Sequence, residues 1–443
     1  MKSPQLTSLS VLLVLLSSTV LFSQSAKEFY DKGKTKDDAK DYNGAIADFT
    51  KAIELKADFF DAYYARGNAR YNADDVKGSV ADFDKAIELN PKSEDAYMMR
   101  GFSKHDLEDY KGAIADYSSV LTINPKSERA LYSRGHSKYY ADDFKGAIDD
   151  CTKAIEINPN RGRSYYYRGN AKGSLQDFSG AIADFTKAIE LQKDVPEVWY
   201  ARGVVKTYQE DHKGAIEDYT KALELSPKYF AALLNRGIAK YELQDYPGAI
   251  ADYSELIKLY PKATEGYYNR GSARFDSEDF KGAIEDFTKT IELEPRAAVA
   301  YFYRGRGKYY LDDAKGAVTD FSKAIELDPD LTEPYFYRGI MYMGLMDFKK
   351  ALPDMIKVTT MAPEYPDAWY YAGLLKGSTM DFQGSLPYLN KAIELNPQYG
   401  EAYLQRGSAR HVLNDKKGGC EDLKRAVELG AEDAEKKYKE KCN

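Results

Sequence analysis

Hydrophobic and polar positions follow the same order in successive segments of the chain, and residues 60–93 show this order clearly. In the first half of the segment, aromatic and small residues such as Tyr63 and Gly67 recur at helical spacing. A second apolar face that includes Phe83 follows a short polar stretch, and Pro91 lies just beyond its end. The pattern predicts two α-helices joined by a short turn.

This two-helix pattern recurs every 34 residues without insertion or deletion. The dipeptide Gly-Ala or a close relative marks it at Gly44, Gly78, Gly112, Gly146, Gly180, Gly214, Gly248, Gly282, Gly316, Lys350, Gly384 and Gly418. Twelve repeats are therefore predicted at 26–59, 60–93, 94–127, 128–161, 162–195, 196–229, 230–263, 264–297, 298–331, 332–365, 366–399 and 400–433. Such a period is typical of a solenoid. No remaining segment is long enough for a separate catalytic domain, so we expect that the protein is not an enzyme.

Two further positions are constant in all twelve repeats. An Asp equivalent to Asp75 precedes each second helix, where its carboxylate can accept from the N–H groups of the first turn. A glycine equivalent to Gly67 lies within each first helix, although glycine there costs about 1 kcal/mol relative to alanine. We expect that the missing side chain lets the second helix approach closely.

Each repeat resembles a tetratricopeptide repeat (TPR), whose pattern is carried in the second repeat by Tyr63, Gly67, Phe83, Ala86 and Pro91. The resemblance covers residues 26–433 and implies an all-α, right-handed superhelical solenoid of twelve helix-turn-helix repeats. The first helices of such a solenoid line a concave groove that usually holds an extended peptide or a partner's helix. One local departure is proline in the second helices of repeats ten and eleven, at Pro353 and Pro387. Because proline is tolerated near a helix start, we expect a slightly irregular stack there without a break.

A second departure is systematic, because Arg precedes the constant glycine where the family has Leu. This Arg is matched by an Asp on the second helix, as in Arg66 with Asp82. The two residues have similar heights in an antiparallel helix pair, so they are expected to form a salt bridge. Repeat eleven lacks both partners, with Ala372 and Tyr388 in their places, which favours pairing within a repeat. We interpret these pairs as partly buried elements of the scaffold.

The first helices carry consecutive aromatic residues, of which the chain has many, with 38 Tyr and 19 Phe. Adjacent residues on a helix point about 100° apart, so Tyr63 and its equivalents are expected between helices and the next residue in the groove. The predicted partner-binding residues are Tyr64, Tyr132, Arg163, Tyr166, Tyr167, Tyr200, Asn235, Tyr268, Asn269, Phe302, Arg306, Phe336 and Tyr370. Tyrosine suits protein recognition because it combines a large apolar surface with one hydrogen-bonding group. In the alternative interpretation, these rings only pack against each other along the superhelix.

The groove positions also restrict the kind of partner. Cytosolic TPR co-chaperones bind a C-terminal carboxylate through Lys, Asn and Arg residues of their first helices. This chain has Tyr or Phe at the positions that would need Lys, so binding of a chaperone's C-terminal tail is disfavoured. The net charge of −7 argues against nucleic acid as a partner. We therefore predict a protein-interaction scaffold that binds a peptide or a partner's helix. Two alternatives remain. The protein is a structural component of a cell-envelope assembly that uses its convex face or ends, or it binds carbohydrate. The sequence leaves the oligomeric state open.

Residues 1–25 resemble a targeting segment more than a part of the fold. Lys2 precedes an apolar run from Leu9 to Phe22, and small polar residues follow it up to Ser25. This order is typical of a secretory signal peptide, and an uncleaved anchor is the alternative. We expect an exported protein without a membrane span after cleavage. It would be periplasmic or associated with the cell envelope of a bacterium, or else secreted.

The three cysteines receive different interpretations. Cys151 occupies a slot that holds Phe or Tyr in neighbouring repeats, so it is expected to be a buried, unpaired thiol. Residues 434–443 are rich in Lys and Glu and are predicted to form a capping helix over the last repeat. Cys420 and Cys442 lie at equal distances from the turn near Ala431, which places them opposite each other and predicts a disulfide. Two independent cysteines are the alternative.

Four histidines are too few and too scattered for a convincing catalytic or metal site. His105 and His136 lie in the first helices of neighbouring repeats, where a two-histidine metal site is conceivable. We interpret them as surface residues. No phosphate-binding loop or nucleophile motif is present in the sequence, so no cofactor and no metal are expected.

Overall fold

The computed structural model describes residues 25–442, and secondary structure in this range is α-helical. The first helices of the repeats are α1 (Ala26–Asp38), α3 (Phe60–Asn72), α5 (Glu94–Asp106), α7 (Glu128–Tyr140), α9 (Gly162–Ser174), α11 (Pro196–Tyr208), α13 (Phe230–Glu242), α15 (Thr264–Asp276), α17 (Ala298–Tyr310), α19 (Thr332–Gly344), α21 (Pro366–Ser378) and α23 (Gly400–Val412). The second helices are α2 (Tyr42–Leu55), α4 (Val76–Leu89), α6 (Tyr110–Ile123), α8 (Phe144–Ile157), α10 (Phe178–Leu191), α12 (His212–Leu225), α14 (Tyr246–Leu259), α16 (Phe280–Leu293), α18 (Ala314–Leu327), α20 (Phe348–Met361), α22 (Phe382–Leu395) and α24 (Lys416–Glu428). A last helix, α25 (Ala434–Cys442), follows them. The predicted signal peptide lies outside the described residues, apart from Ser25.

The helices form two compact units, one that ends at Leu225 and one that begins at Ser226. The first unit contains α1 to α12, and the second contains α13 to α25. Within each unit, a second helix packs against its own first helix and against the first helix of the next repeat. The predicted all-α fold of stacked helix pairs is therefore confirmed. In residues 25–442, no helix combines the length and the apolar character that a bilayer span requires.

Each second helix begins at the capping aspartate that the sequence predicts. In α4, Oδ1 of Asp75 accepts a hydrogen bond from the backbone N–H of Gly78 at 2.9 Å. A Cβ atom on Gly78 would lie 2.0 Å from the same carboxylate, which explains why glycine occupies this position in eleven repeats. In repeat ten the residue is Lys350, and its bond from the backbone N–H to Asp347 is longer, at 3.3 Å. The cap thus requires a residue without a side chain for its best geometry.

The residue before each capping aspartate has a left-handed backbone that the sequence pattern does not predict. Its φ angle lies between 58° and 65° in all twelve repeats, and none of the twelve residues is glycine. They are Lys40, Asp74, Glu108, Asp142, Gln176, Glu210, Gln244, Glu278, Asp312, Met346, Met380 and Asn414. A left-handed non-glycine residue costs roughly 1–2 kcal/mol, so the packing of the two helices holds this turn against a local cost.

The glycine within each first helix has the predicted packing role. A Cβ atom added to Gly67 would lie 2.7 Å from Cε1 of Phe83, which is fully buried on the second helix. Cys151 fills the slot equivalent to Phe83, and its Sγ would lie 2.7 Å from a Cβ on Gly135. The prediction of a buried, unpaired thiol is confirmed for Cys151. Missing side chains on the first helices therefore make room for the large side chains of the second helices.

Arg and Asp pair within ten repeats, and we call this series of pairs the ladder. Each guanidinium donates from Nε and Nη2 to the two carboxylate oxygens, over 2.7–3.0 Å and 2.5–2.7 Å respectively. The pairs are Arg66–Asp82, Arg100–Asp116, Arg134–Asp150, Arg168–Asp184, Arg202–Asp218, Arg236–Asp252, Arg270–Asp286, Arg304–Asp320, Arg338–Asp354 and Arg406–Asp422. Pairing within the repeat is thus confirmed.

The ladder is more deeply buried and more connected than the sequence indicates. The aspartate side chains are only 2–7% exposed, so the expectation of partly buried pairs is wrong for the acidic partner. A second cation one turn after the arginine also contacts the carboxylate, as Lys308 does at 2.7 Å from Asp320. The arginine reaches back to the preceding repeat as well, where Nη1 of Arg304 donates to Thr288 at 3.3 Å. The ladder therefore joins neighbouring repeats in addition to closing each repeat.

Pro353 and Pro387 lie inside α20 and α22, and both helices continue past them without interruption. The expectation that proline does not break these helices is confirmed. At the end of the chain, α25 packs on α24. Tyr438 and Cys442 of α25 contact a cluster of buried residues that includes Leu404 and Leu423 of the last repeat. The sulfur atoms of Cys420 and Cys442 are joined in the predicted disulfide.

Candidate functional site

The aromatic residues predicted to face the groove are held by the second helix of their own repeat. The ring of Tyr64 lies 5.9 Å from that of Phe83, and Tyr166 lies 6.0 Å from Phe185. These tyrosines are half-buried, so each presents one part of its ring to solvent. The equivalent rings of Tyr200, Tyr268 and Phe302 have the same kind of neighbour, Tyr219, Phe287 and Phe321. These rings therefore pack within their repeats, and the half-buried ones, such as Tyr64 and Tyr166, also keep some accessible surface.

Two members of the stripe are buried, which corrects the expectation that they face the groove. Tyr132 is 8% exposed because Tyr167 stacks against it and the guanidinium of Arg161 lies 5.4 Å from its ring centre. Phe302 is 9% exposed, with Tyr303 and other rings of its neighbourhood around it. Side chains of the same repeat and of the next repeat thus cover these two groove positions.

In the second unit, four of the predicted residues come together at a cavity of about 320 Å³, which we call the Arg306 cavity. Tyr268, Asn269 and Arg306 line it directly, and Phe302 lies behind the guanidinium of Arg306. The lining is completed by Ile238, Tyr241, Glu242, Tyr253, Ser272, Phe275, Asp276 and Tyr303. Because α13, α15 and α17 all contribute, the cavity spans three successive first helices.

Arg306 is enclosed by aromatic rings. Its Cζ lies 4.6 Å from the ring centre of Phe275 and 5.5–5.7 Å from those of Phe302, Tyr303 and Tyr337, all within cation–π range. Its Nε is buried and has no hydrogen-bond partner among the described residues. A buried donor on a charged group without an acceptor costs free energy, which a ligand with an acceptor atom can recover.

Two acidic residues also line the Arg306 cavity, Glu242 and Asp276. The hydroxyl of Tyr241 donates a short hydrogen bond to the carboxylate of Asp276, and both line the cavity with Glu242. Burial and the neighbouring Asp276 raise the pKa of Tyr241 above its ordinary value, so the hydroxyl keeps its proton. Tyr241, Phe275 and Asp276 are not among the residues that the sequence predicts. Their helical register could have found them, since Phe275 lies two turns after Tyr268 on one first helix.

In the first unit, Arg163, Tyr166 and Tyr167 come together at another cavity, of about 370 Å³. Arg163 is exposed there, and burial raises the pKa of Tyr167 to about 12. A third cavity, of about 550 Å³, is lined by residues that include Phe336. Six predicted residues do not line these three cavities: Tyr64, Tyr132, Tyr200, Asn235, Phe302 and Tyr370. Tyr370 packs instead against Tyr399, at 4.8 Å between ring centres.

The rings of the two histidines of the first unit pack together and are half-buried, so their interpretation as surface residues holds only in part. The rings of His105 and His136 lie 4.4 Å apart, and His136 stacks on Tyr167 at 4.0 Å. Nδ1 of His105 shares a hydrogen bond of 2.9 Å with the hydroxyl of Ser137. Burial, His105 and Arg163 together lower the pKa of His136 to about 3. The cluster is therefore a packed group of neutral rings.

Comparison with family profiles gives matches over most of the repeat region. Profiles described as tetratricopeptide repeat or TPR repeat match residues 38–74, 60–93, 94–127, 128–161, 162–195, 196–229, 231–263 and 268–332. A comparison with curated proteins gave no match.

Several solved structures are similar to the chain. YrrB, described as a TPR protein with an unusual peptide-binding site, is 25% identical over 42% of this chain and 95% of its own, with a TM-score of 0.35. PilF of Pseudomonas aeruginosa is 20% identical over 49% of this chain and 97% of its own, with a TM-score of 0.42. The Cut9–Hcn1 hetero-tetramer of the APC/C is 11% identical over 97% of this chain and 99% of the matched chain, with a TM-score of 0.43.

Proposed function

The chain belongs to the tetratricopeptide repeat family, and we propose that it is an exported scaffold that binds an extended peptide segment of a partner protein at the Arg306 cavity. Proteins of this family generally mediate protein–protein interactions and are typically non-catalytic. The proposal adds to this family role a binding site, a ligand chemistry and a compartment.

The observation that carries the proposal is the unpartnered Nε of Arg306 inside a cage of aromatic rings. The cage fixes the plane of the guanidinium, so an acidic group of a ligand would find its donors already oriented. Asn269 and Ser272 lie beside it and offer neutral hydrogen-bonding groups to a peptide backbone. Glu242 and Asp276, which also line the cavity, favour a ligand that presents N–H groups or a basic residue next to its acidic group.

A selection from random peptides displayed on phage tests the site without requiring a purified partner protein. We expect the full chain to enrich peptides that contain Asp or Glu at a fixed position. Binding of an enriched peptide should weaken about 10- to 100-fold in Arg306→Gln, because a hydrogen bond to a charged group contributes roughly 1.5–3 kcal/mol. Arg306→Lys should recover only part of this loss, since a lysine lacks the planar fork that the rings hold.

Lys323→Gln is the matched control. Lys323 forms an exposed pair with Glu326 on α18, so its substitution removes one positive charge away from the cavity. Enriched peptides that bind wild type and Arg306→Gln equally would refute the site. Failure to enrich any peptide, together with binding of glycans on an array, would favour the carbohydrate-binding alternative.

Export rests on two features of the chain. The N-terminal sequence has the order of a signal peptide, and a disulfide joins Cys420 and Cys442. Disulfides persist mainly in oxidising compartments such as the bacterial periplasm. Expression of the full chain in a bacterium, followed by fractionation and N-terminal sequencing, should give a periplasmic protein that begins at Gln24 or Ala26. An intact N-terminus in the cytoplasmic fraction would contradict export.

A further inference from the structure

The last repeat brings three metal-ligating side chains to one point. Nε2 of His411 lies 3.3 Å from Sγ of Cys420 and 3.5 Å from Sγ of Cys442. The three ligand atoms lie within 4.8 Å of one another, and this is the one group of three or more such residues in the part of the chain that the structure describes. The residues come from α23, α24 and α25, so three separate helices contribute one ligand each.

The last repeat differs from the others at the positions that build this group. Cys420 stands where the other eleven repeats have Ile, Val or Leu, and the preceding Gly419 stands where they have Ala or Ser. A Cβ atom on Gly419 would lie 2.5 Å from Cδ2 of His411, so the alanine or serine of the other repeats would collide with this imidazole. Gly419 thus makes room for the imidazole of His411 beside the two sulfur atoms. A disulfide alone does not require an imidazole at this position.

We propose that reduction of the Cys420–Cys442 disulfide converts this group into a binding site for a thiolate-preferring metal ion of the Zn²⁺ type. A dithiol reductant transfers two electrons and two protons to the disulfide, which yields two cysteine thiols and an oxidised reductant disulfide. Binding of Zn²⁺ then displaces the two thiol protons to solvent, and the neutral imidazole of His411 supplies the third ligand.

The geometry of the group agrees with a tetrahedral site. Ideal Zn–S and Zn–N bonds place a sulfur and a nitrogen ligand about 3.5 Å apart, close to the two distances from His411. The sulfur atoms, which are no longer bonded to each other after reduction, need to separate to about 3.8 Å. Two thiolates and one imidazole leave a fourth position for water or for a ligand from outside. The metal would then hold α25 on the last repeat when the disulfide is absent.

Cobalt is a suitable probe, because Co²⁺ bound to thiolates absorbs in the near ultraviolet and in the visible range. The full chain is reduced with a phosphine under anaerobic conditions and titrated with CoCl₂, and the unreduced chain is titrated in parallel. We expect thiolate-to-cobalt absorption that saturates at one Co²⁺ per reduced chain and disappears on addition of Zn²⁺. The unreduced chain should show no such absorption.

Two variants separate the site from other thiols. Loss of an outer partner of a metal ligand typically costs about 10- to 100-fold in affinity, so loss of a direct ligand in His411→Gln should weaken Co²⁺ binding by about 100-fold or more. His411→Gln retains both cysteines and the disulfide, and circular dichroism verifies its fold. Cys151→Ala removes the buried third thiol and should leave the titration unchanged. Equal binding by wild type and His411→Gln, or no absorption in the reduced wild type, would overturn the proposal.

Discussion

The histidine cluster of the first unit makes stability depend on pH in a way that the structure predicts. His136 stacks between His105 and Tyr167, and its pKa falls from its ordinary 6.5 to about 3 in the folded state. The causes are burial, then His105, then Arg163, and all three disfavour the imidazolium form. The folded state therefore keeps His136 neutral under conditions in which the unfolded chain protonates it.

The sign and size follow from this difference. Above the unfolded pKa of about 6.5, His136 is neutral in both states and stability does not depend on it. As the pH falls below 6.5, the unfolded state binds a proton that the folded state does not, and the free energy of unfolding decreases. At pH 4.5, about two pH units below the unfolded pKa, the loss is about 2–3 kcal/mol, since each pH unit corresponds to about 1.4 kcal/mol.

Urea unfolding followed by circular dichroism between pH 7.5 and 4.5 measures this loss. His136→Gln removes the titrating group and should reduce the decrease in unfolding free energy over this range by about 2–3 kcal/mol. His212→Gln replaces a histidine at the start of α12, outside the cluster, and is the matched control for a His-to-Gln substitution. If the free energy of unfolding of His136→Gln falls between pH 7.5 and 4.5 as much as that of wild type, His136 is not held neutral by its surroundings.

Three further predictions concern the scaffold. Gly67→Ala should destabilise the protein by about 1–3 kcal/mol in urea unfolding, because its Cβ would press on Phe83. Gly377→Ala is the control: beyond the backbone of its own helix and its chain neighbours, no atom lies within 4 Å of the new Cβ, so this substitution should stabilise the protein by up to about 1 kcal/mol. In a double-mutant cycle measured by urea unfolding, Arg304→Ala and Asp320→Asn should show a coupling free energy of about 1–3 kcal/mol. The reason is that Arg304→Ala alone leaves the buried carboxylate of Asp320 with only Lys308 as a cationic partner. Strictly additive effects of the two substitutions would show that Arg304 and Asp320 do not interact. Reduction of the disulfide in the absence of metal should lower the free energy of unfolding by about 3 kcal/mol, the value that the chain-entropy model gives for a separation of 22 residues. Amide hydrogen exchange should become faster in α25 and stay unchanged in α3.

Most of the scaffold could be predicted because its determinants are local and repeat twelve times. The capping Asp75, the glycine at Gly67 and the aromatic at Phe83 act within one helix pair, so spacing alone places them together. The pairing of Arg with Asp could be inferred from repeat eleven, where Ala372 and Tyr388 replace both partners at once. Interactions within a repeat place the same residue types at the same positions in nearly every repeat, and they can therefore be inferred from the sequence.

The features that the sequence does not reveal depend on the backbone or on contacts between repeats. The left-handed residue before each cap has no constant side chain, since Lys40, Glu108 and Met346 all occupy it, so composition does not reveal it. The burial of Tyr132 depends on Tyr167 of the next repeat in addition to Arg161 at the end of its own repeat, and a single-repeat pattern does not contain the contact with Tyr167. The stacking of the two histidines escapes prediction for the same reason.

Each candidate site and the histidine cluster use at least one of two registers of the first helices, and the ladder explains why. His136 and Arg306 are equivalent to Asn68, while Phe275 and His411 are equivalent to Tyr71. Neither register contributes a side chain to the ladder or to the capping of a second helix, so substitutions there leave the constant pairs of each repeat intact. A scaffold whose stability rests on its constant positions can carry a guanidinium in one repeat and a metal ligand in another. In the two candidate sites, we therefore expect ligands to contact Arg306 and His411, which these registers contribute.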